Sequence, residues 1–261
     1  MVAIFGEKKE FIFRAVEQMY GDVATQPGRT FHFPTGRLAC LFVGYPADLL
    51  DRIPAAATES FAGVGYPFAI GAIREGDTVL DIGSGSGTDV LIASILAGES
   101  GSVYGLDITS AMREKLLRNA QEMNAANIHV LEGNAERIPL PDASVDVVTS
   151  NGVLNLVPDK QSAFREIARV LKPSGRLQIA DIALRVPVSE KSRADPQLWA
   201  ECVVGAIIEE DYVAQMRDAG LKVEIVRQMD YFAGSVSANT RKAAHALGAH
   251  AVVMQGRLAG N

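Results

Sequence analysis

The stretch Thr78-Val79-Leu80-Asp81-Ile82-Gly83-Ser84-Gly85-Ser86-Gly87-Thr88-Asp89 decides the fold, and an apolar run with helical spacing, Val90 to Ala97, follows it. The apolar residues before the glycines predict a buried parallel strand, and the glycines predict a turn that lets the backbone approach a ligand closely. The helix behind the turn begins with unpaired N–H groups that favour a bound polar molecule. A strand, a glycine turn and a helix N-terminus in this order predict a binding site for a nucleotide-like cofactor.

The spacing of the glycines separates two classes of cofactor. A dinucleotide fingerprint G-x-G-x-x-G would need a third glycine at Thr88 or at Val90, and neither position has one. Asp81 stands two residues before the first glycine, where a carboxylate would repel a pyrophosphate but attract an ammonium group. We therefore expect a zwitterionic adenosyl ligand rather than NAD.

A second acid has the position of a ribose ligand. The strand pattern Val103-Tyr104-Gly105-Leu106 ends in Asp107, about 20 residues after Gly87. At that separation a carboxylate lies at the tip of the neighbouring strand, where it can accept hydrogen bonds from both hydroxyls of a ribose. We predict that Asp107 holds the ribose.

The acid-x-Gly-x-Gly-x-Gly turn and the acid that ends the next strand resemble the class I S-adenosylmethionine-dependent methyltransferases. The resemblance implies S-adenosyl-L-methionine as the cofactor, with Asp81 near its ammonium group and Asp107 at its ribose. A glycine-rich turn without a ligand is the alternative reading. The residues that the resemblance places at the cofactor are Asp81, Gly83, Ser84, Gly85, Gly87, Asp107, Ile108, Asn134, Ala135 and Asn151, of which Asn134 and Ala135 would border the adenine.

Strand and helix patterns alternate from Asp77 onward, which predicts an α/β fold with a parallel sheet covered on both faces. We expect a doubly wound, seven-stranded, mostly parallel sheet; the antiparallel last strand is implied by the resemblance alone. Residues 1–75 have helical patterns without strands and predict an N-terminal helical cap. Residues 76–261 would form the cofactor-binding domain, with an insertion near 186–207.

Asn151 follows the fourth predicted strand, at the centre of the edge where the transferable methyl group would project. We therefore predict that Asn151 contacts both the cofactor and the methyl acceptor. The predicted reaction is a direct, in-line displacement. The sulfonium carbon is already electrophilic, so this reaction needs positioning and exclusion of water more than a catalytic dyad.

Within that superfamily the chain resembles the arsenite methyltransferases. Those enzymes bind trivalent arsenic through three thiolates, but here Val64 and a non-thiol near Val253 stand at two of the three positions, and Cys202 alone matches. We therefore predict a small-molecule acceptor, with Cys202 as a candidate catalytic residue. An arsenite enzyme with an incomplete thiol site and a non-catalytic S-adenosylmethionine-binding module remain alternatives. The resemblance rests on four stretches, Gly63–Pro67, Asp81–Gly87, Ser150–Lys160 and Trp199–Ala206.

The composition of the 261 residues excludes several other classes. The formal net charge of −6 and the lack of a basic cluster argue against binding nucleic acid. No apolar stretch is long enough to cross a bilayer and the first residues do not resemble a signal peptide, so we expect a cytoplasmic protein that does not bind membranes. The only two cysteines, Cys40 and Cys202, form no metal-ligand spacing, and we predict no metal site. The sequence leaves monomer and homodimer open.

Overall fold

The strands of one central sheet bury the apolar runs that the sequence predicts as strands. The computed structural model describes residues 6–189, 199 and 204–259. Within these residues the strands are β1 (Thr78–Ile82), β2 (Ser102–Asp107), β3 (Ile128–Glu132), β4 (Val145–Asn151), β5 (Leu171–Leu184), β6 (Ile207–Ile208), β7 (Leu221–Met229) and β8 (His250–Leu258). Seven of them form the sheet in the order β3-β2-β1-β4-β5-β8-β7, and the short β6 pairs with β5.

The pairing directions confirm the doubly wound, mostly parallel α/β sheet. The strands β1 to β5 pair in parallel, and β8 is antiparallel to both β5 and β7. The sequence predicts seven strands, and the two-residue β6 is an addition to them. Because β2 and β4 flank β1 on opposite sides, the chain changes direction across the sheet at the carboxyl end of β1, where such sheets bind their ligands.

Helices cover the sheet, and several begin and end where the local sequence requires it. Asp159 accepts the N–H of Ser162 and so caps the helix Lys160–Val170. Gly44 ends the helix Gly36–Val43 and Gly248 ends the helix Ala238–Leu247, both in the left-handed region. The α-helices are α1 (Glu7–Thr25), α2 (Gly36–Val43), α3 (Ala47–Leu50), α4 (Ala55–Glu59), α5 (Thr88–Ala97), α6 (Ser110–Glu122), α7 (Lys160–Val170), α8 (Glu209–Asp218) and α9 (Ala238–Leu247), and Pro67–Ile70, Leu154–Leu156 and Tyr231–Gly234 form single 3₁₀ turns.

The residues Lys172-Pro173-Ser174-Gly175, whose proline and glycine predict a turn after α7, lie inside β5. Val145 pairs with Leu171 and Val147 pairs with Arg176, so the residues between Leu171 and Arg176 bulge out of the ladder with β4. Proline and glycine are common at such bulges. Because β5 pairs with β4 on both sides of the bulge, the interruption of the strand is local.

The first four helices share one hydrophobic core with the sheet. Ile12 of α1, Cys40 of α2 and Leu50 of α3 pack in the same buried cluster as Val79 of β1 and Leu91 of α5. The predicted helical cap therefore lies against the sheet, and its boundary near residue 75 stays a prediction. Within the described part of the chain, no helix combines the length and the apolar surface that crossing a membrane requires.

Candidate functional site

A cleft of about 960 Å³, partly open to solvent, lies at the carboxyl ends of β1, β2 and β4. Its position is the one expected for a ligand site in an open α/β sheet. Of the residues predicted to bind the cofactor, those that line the cleft are Asp81, Gly83, Ser84, Gly85, Asp107, Ile108, Asn134, Ala135 and Asn151.

The three glycines of the turn have positive φ angles, 73° at Gly83, 51° at Gly85 and 100° at Gly87, but their surroundings differ. A Cβ at Gly83 would lie 2.2 Å from a methyl group of Val153, and one at Gly87 would lie 2.4 Å from a methyl group of Leu116. At Gly85 the nearest atom would be the Met112 sulfur, 3.9 Å away. Gly87 therefore lets α6 pack closely and is not among the residues that line the cleft, whereas Gly85 leaves room on the ligand side.

Asp107 is held in place by the glycine turn itself. Its carboxylate accepts the N–H of Gly85 and the N–H of Thr109, both at 2.8 Å. Burial raises the pKa of Asp107, and these two donors oppose that effect. The two bonds fix the orientation of the carboxylate and leave lone pairs for hydroxyl donors of a ligand.

Asp81 is almost fully buried and lines the same cleft. Burial raises its pKa well above the usual range, and the neighbouring Asp89 and Asp107 raise it further. No donor of the described residues hydrogen bonds to its carboxylate. Such a carboxylate gains stability from a cationic ligand.

The described residues that line the cleft include three aspartates and no lysine, arginine or histidine. The buried hydroxyl of Ser84 also has no hydrogen-bond partner there. Three buried acids with no cationic side chain beside them in the cleft, together with an unpaired hydroxyl, fit a ligand that carries positive charge and polar groups. The donor set of this cleft therefore fits a sulfonium nucleoside with an ammonium group.

Asn151, the last residue of β4, forms the centre of a hydrogen-bond network that the sequence does not reveal. Its Nδ2 donates to the Tyr45 hydroxyl at 3.0 Å, to the Gly65 carbonyl at 2.9 Å and to Asp89 Oδ2 at 3.1 Å. Its Oδ1 accepts the N–H groups of Val64 and Gly65 at 2.8 and 3.2 Å. The Asn151 amide thus ties the loop of residues 61–66, called the cap loop below, to the cleft. The predicted contact of Asn151 with an acceptor stays a prediction.

Asp89 and Tyr45 complete this network. The Tyr45 hydroxyl donates to Asp89 Oδ1 at 2.5 Å. Burial raises the pKa of Asp89 to about 6, and the hydrogen bonds from Tyr45 and Asn151 oppose that rise. Asp89 follows the glycines directly, so the motif could have suggested it. Tyr45 lies far away in the sequence and no pattern points to it.

Apolar and aromatic side chains of the cap and of α6 cover the cleft. Phe13, Val16 and Tyr20 reach it from α1, Phe61 reaches it from the loop after α4, and Met112 reaches it from α6. Helical periodicity predicts that α1 covers the core but does not show which of its residues reach a ligand. These side chains can exclude water from the bound molecule.

A second, smaller cavity of about 190 Å³ lies behind the cap loop. Val64 and Val253 both line it, so the fold brings together two positions at which the arsenite resemblance implies thiols. Cys202 lies outside the described residues. Cys40 is buried in α2, where burial first and Asp89 second raise the pKa of its thiol, and it does not line the cleft. The described residues form no group of three or more His, Cys, Asp or Glu side chains that could hold a metal ion.

Comparison with known proteins identifies relatives of this chain. A family model described as a methyltransferase domain matches residues 73–233. The arsenite methyltransferase of Halobacterium salinarum is 38% identical over 184 residues, which are 70% of this chain and 47% of that protein. The ubiquinone/menaquinone biosynthesis C-methyltransferase UbiE of Azotobacter vinelandii is 37% identical over 122 residues, 45% of this chain and 47% of that protein. The chain thus spans about half the length of these curated relatives.

A solved structure is similar over most of the chain. The crystal structure of CrArsM, an arsenic (III) S-adenosylmethionine methyltransferase from Chlamydomonas reinhardtii, superimposes with a TM-score of 0.65 at 32% sequence identity. The match covers 81% of this chain and 72% of that one.

Proposed function

The chain belongs to the S-adenosylmethionine-dependent methyltransferases, and on that premise we propose that it transfers a methyl group from S-adenosyl-L-methionine to a small-molecule acceptor. One observation carries the proposal: the three buried aspartates Asp81, Asp89 and Asp107 line a single cleft, to which the described residues contribute no cationic side chain. A cofactor with a sulfonium and an ammonium group supplies the missing positive charge.

Each part of the cleft has a role in holding this cofactor. Asp107 would accept the ribose hydroxyls, Asp81 would face the ammonium group, and Asn134 and Ala135 would border the adenine. The Oδ1 of Asn134 accepts the N–H of Glu136 at 2.9 Å, which fixes its amide at this edge. The open side of Gly85 leaves room for the cofactor between these groups.

The cofactor, when bound, supplies a methyl carbon that its own sulfonium makes electrophilic. The protein therefore has to orient the acceptor and keep water out. The apolar cap residues Phe13, Val16 and Phe61 would exclude water, and the Asn151 network would hold the loop at the acceptor side.

Isothermal titration calorimetry of the purified chain with S-adenosylmethionine and with S-adenosylhomocysteine tests cofactor binding. We expect a saturable heat of binding with both ligands. If neither ligand gives any heat, the proposal is wrong. Methyl transfer is tested by incubating the protein with radiolabelled S-adenosylmethionine and a small-molecule fraction of a cell extract. Binding without labelling of any small molecule would favour the non-catalytic binding module.

Similarity to arsenite methyltransferases at 38% and 32% identity favours arsenite as a second candidate acceptor. Val64 and the non-thiol near Val253 oppose it, because side chains without a thiol cannot supply the soft thiolate ligands that trivalent arsenic prefers. If arsenite is the acceptor, the protein should release methylated arsenic in the presence of a thiol reductant, and Cys202→Ser should abolish that release. An unchanged rate in this variant would show that Cys202 is not an arsenic ligand.

The proposal includes a cytoplasmic location, a monomeric or homodimeric state and no nucleic-acid partner. The net charge of −6 supports the last point. Size-exclusion chromatography with light scattering measures the oligomeric state directly.

A further inference from the structure

One of the three acids at the cleft has no assigned role in holding the cofactor. Asp81 and Asp107 would face the ammonium group and the ribose, and the methyl donor and its demethylated product have both groups in common. Donor and product differ in the methyl group and in the positive charge that it leaves on the sulfur. Asp89 is the remaining carboxylate at the cleft.

The position of Asp89 is on the side of the cleft where the methyl group would be transferred. It stands in the first turn of α5, directly after the glycine turn, and is 6% exposed. Its Oδ2 accepts from Asn151 at the end of β4, whereas Asp107 ends β2 on the opposite side of β1. Asp89 therefore faces the β4 side of the cleft, beside the cap loop that Asn151 holds.

We propose that the carboxylate of Asp89 selects the methyl donor over the demethylated product by pairing with the positive charge of the sulfonium. This inference rests on the proposed function and deepens it, because it assigns a specificity residue to the same cleft. After transfer the sulfur is neutral, so the product loses this partner while it keeps the groups that face Asp81 and Asp107.

The neighbours of Asp89 leave this pairing open to a ligand. Its two protein donors, Tyr45 and Asn151, are uncharged, and the titratable groups around it are Asp81 from β1, Cys40 from α2, Tyr45 after α2 and Tyr66 from the cap loop. None of these groups is a cation. A cationic ligand is thus the partner that would stabilise the charged form of Asp89.

The pairing makes the preference for the donor depend on pH. Without ligand, burial raises the pKa of Asp89 to about 6. A sulfonium beside the carboxylate lowers this pKa, so donor binding near that pH releases a proton from Asp89 to the solvent. The preference is therefore present above the pKa of the free protein and is lost as the pH falls through it. The product brings no sulfonium and causes no such release.

Calorimetric titrations with S-adenosylmethionine and S-adenosylhomocysteine from about pH 5 to about pH 8 test the inference. A depression of the Asp89 pKa by one unit would raise the ratio of product Kd to donor Kd about fivefold across this range. Repeating each titration in two buffers of different ionisation enthalpy measures the released proton. Comparing the two ligands cancels the effects of Asp81 and Asp107.

The isosteric variant Asp89→Asn should make the Kd ratio independent of pH while it still binds the product. Tyr45→Phe removes a donor that lowers the pKa of Asp89, so its ratio should change at a higher pH than that of the wild type. If Asp89→Asn does not fold, the direction of the Tyr45→Phe shift decides.

Three results would overturn the inference: a wild-type ratio that does not change with pH, an Asp89→Asn protein that keeps the wild-type dependence, or an Asp89→Asn protein in which both affinities fall equally. A wild-type protein that binds neither ligand would instead overturn the proposed function.

Discussion

Two buried aspartates, Asp89 in the cleft and Asp181 in β5, have the same chemistry but different surroundings. Burial raises the pKa of each to about 6. Asp181 accepts the Tyr212 hydroxyl at 2.7 Å and the N–H groups of Ile182 and Asn155 at 2.8 and 2.9 Å. Asp89 has two side-chain donors and lines a cavity. Both acids are buried, so burial alone does not distinguish them. The hydrogen-bond donors around a buried acid decide whether it stabilises the fold or is available to a ligand.

Residues near Asp181 also hold one wall of the cleft in place. The Lys160 ammonium group donates to the carbonyls of Asn155 and Val157 and lies 5.5 Å from the ring centre of Trp199. The indole N–H of Trp199 donates to the Leu156 carbonyl at 2.7 Å. Since Leu156 and Val157 line the cleft, this cluster fixes one of its walls.

The largest effect is expected for Asp181→Ala, which should lower the stability of the fold. The change leaves three buried donors without an acceptor, at about 1 kcal/mol or more each, so the free energy of unfolding should fall by about 3 kcal/mol. Urea denaturation measures it. The exposed Asp218→Ala serves as the control and should change stability by less than about 0.5 kcal/mol. A small loss in Asp181→Ala would mean that Asp181 is not the structural member of the pair.

Asp107→Ala should weaken S-adenosylmethionine binding about 100-fold, because it removes the charged acceptor of the ribose and frees the N–H groups of Gly85 and Thr109. Calorimetry measures the change. Glu132 pairs with Asp107 in register at the end of β3 but is exposed, and Glu132→Ala should leave the affinity nearly unchanged. Equal affinities for Asp107→Ala and the wild type would contradict the assignment of the ribose site.

Asn151→Ala should destabilise the protein by about 1–2 kcal/mol, less than Asp181→Ala. The change removes five hydrogen bonds, but they lie at the cleft, where water can replace some of them. Hydrogen exchange of the Val64 and Gly65 amides reports the loosening of the loop. Asn134→Ala, which removes a single acceptor, is the control. Unchanged exchange at Val64 and Gly65 would show that Asn151 does not hold the loop.

The smallest effect is a pH dependence that distinguishes the two acids. The native state keeps protons on Asp89 and Asp181 up to about pH 6, whereas the unfolded chain loses them near the ordinary pKa of 3.8. These groups therefore stabilise the protein below that ordinary value, and the contribution is lost as the pH rises through about 6. Asp89→Asn and Asp181→Asn should each flatten the pH dependence of the free energy of unfolding.

Adding S-adenosylmethionine should remove the Asp89 part of this pH dependence and leave the Asp181 part. Denaturation curves of the two variants and the wild type, recorded with and without ligand, separate the contributions. If ligand altered the Asp181 part to the same extent, the distinction between the two regions would be wrong.

Much of the fold could be predicted because its signals are local. The glycine turn and the buried strand before it determine β1 and the start of α5. The strand patterns at 128–132, 221–229 and 250–258 predict the bounds that β3, β7 and β8 have in the structure. Local patterns predict less of β5 than the structure has, because proline and glycine usually interrupt a strand, whereas the pairing of β5 with β4 continues past Pro173 and Gly175. They also gave no sign of β6, whose two residues are strand only because they pair with β5.

The sequence by itself determined the class of the protein and which acids lie at the carboxyl ends of β1 and β2, because both depend on residues that are close together in the chain. Only the tertiary structure brought Tyr45, Asp89 and Asn151 into one network and placed Val64 beside Val253. Those contacts join segments that are far apart in the sequence. The donors, charges and empty space around a side chain decide whether it binds a ligand, holds a loop or belongs to the core. These surroundings exist only in the folded chain.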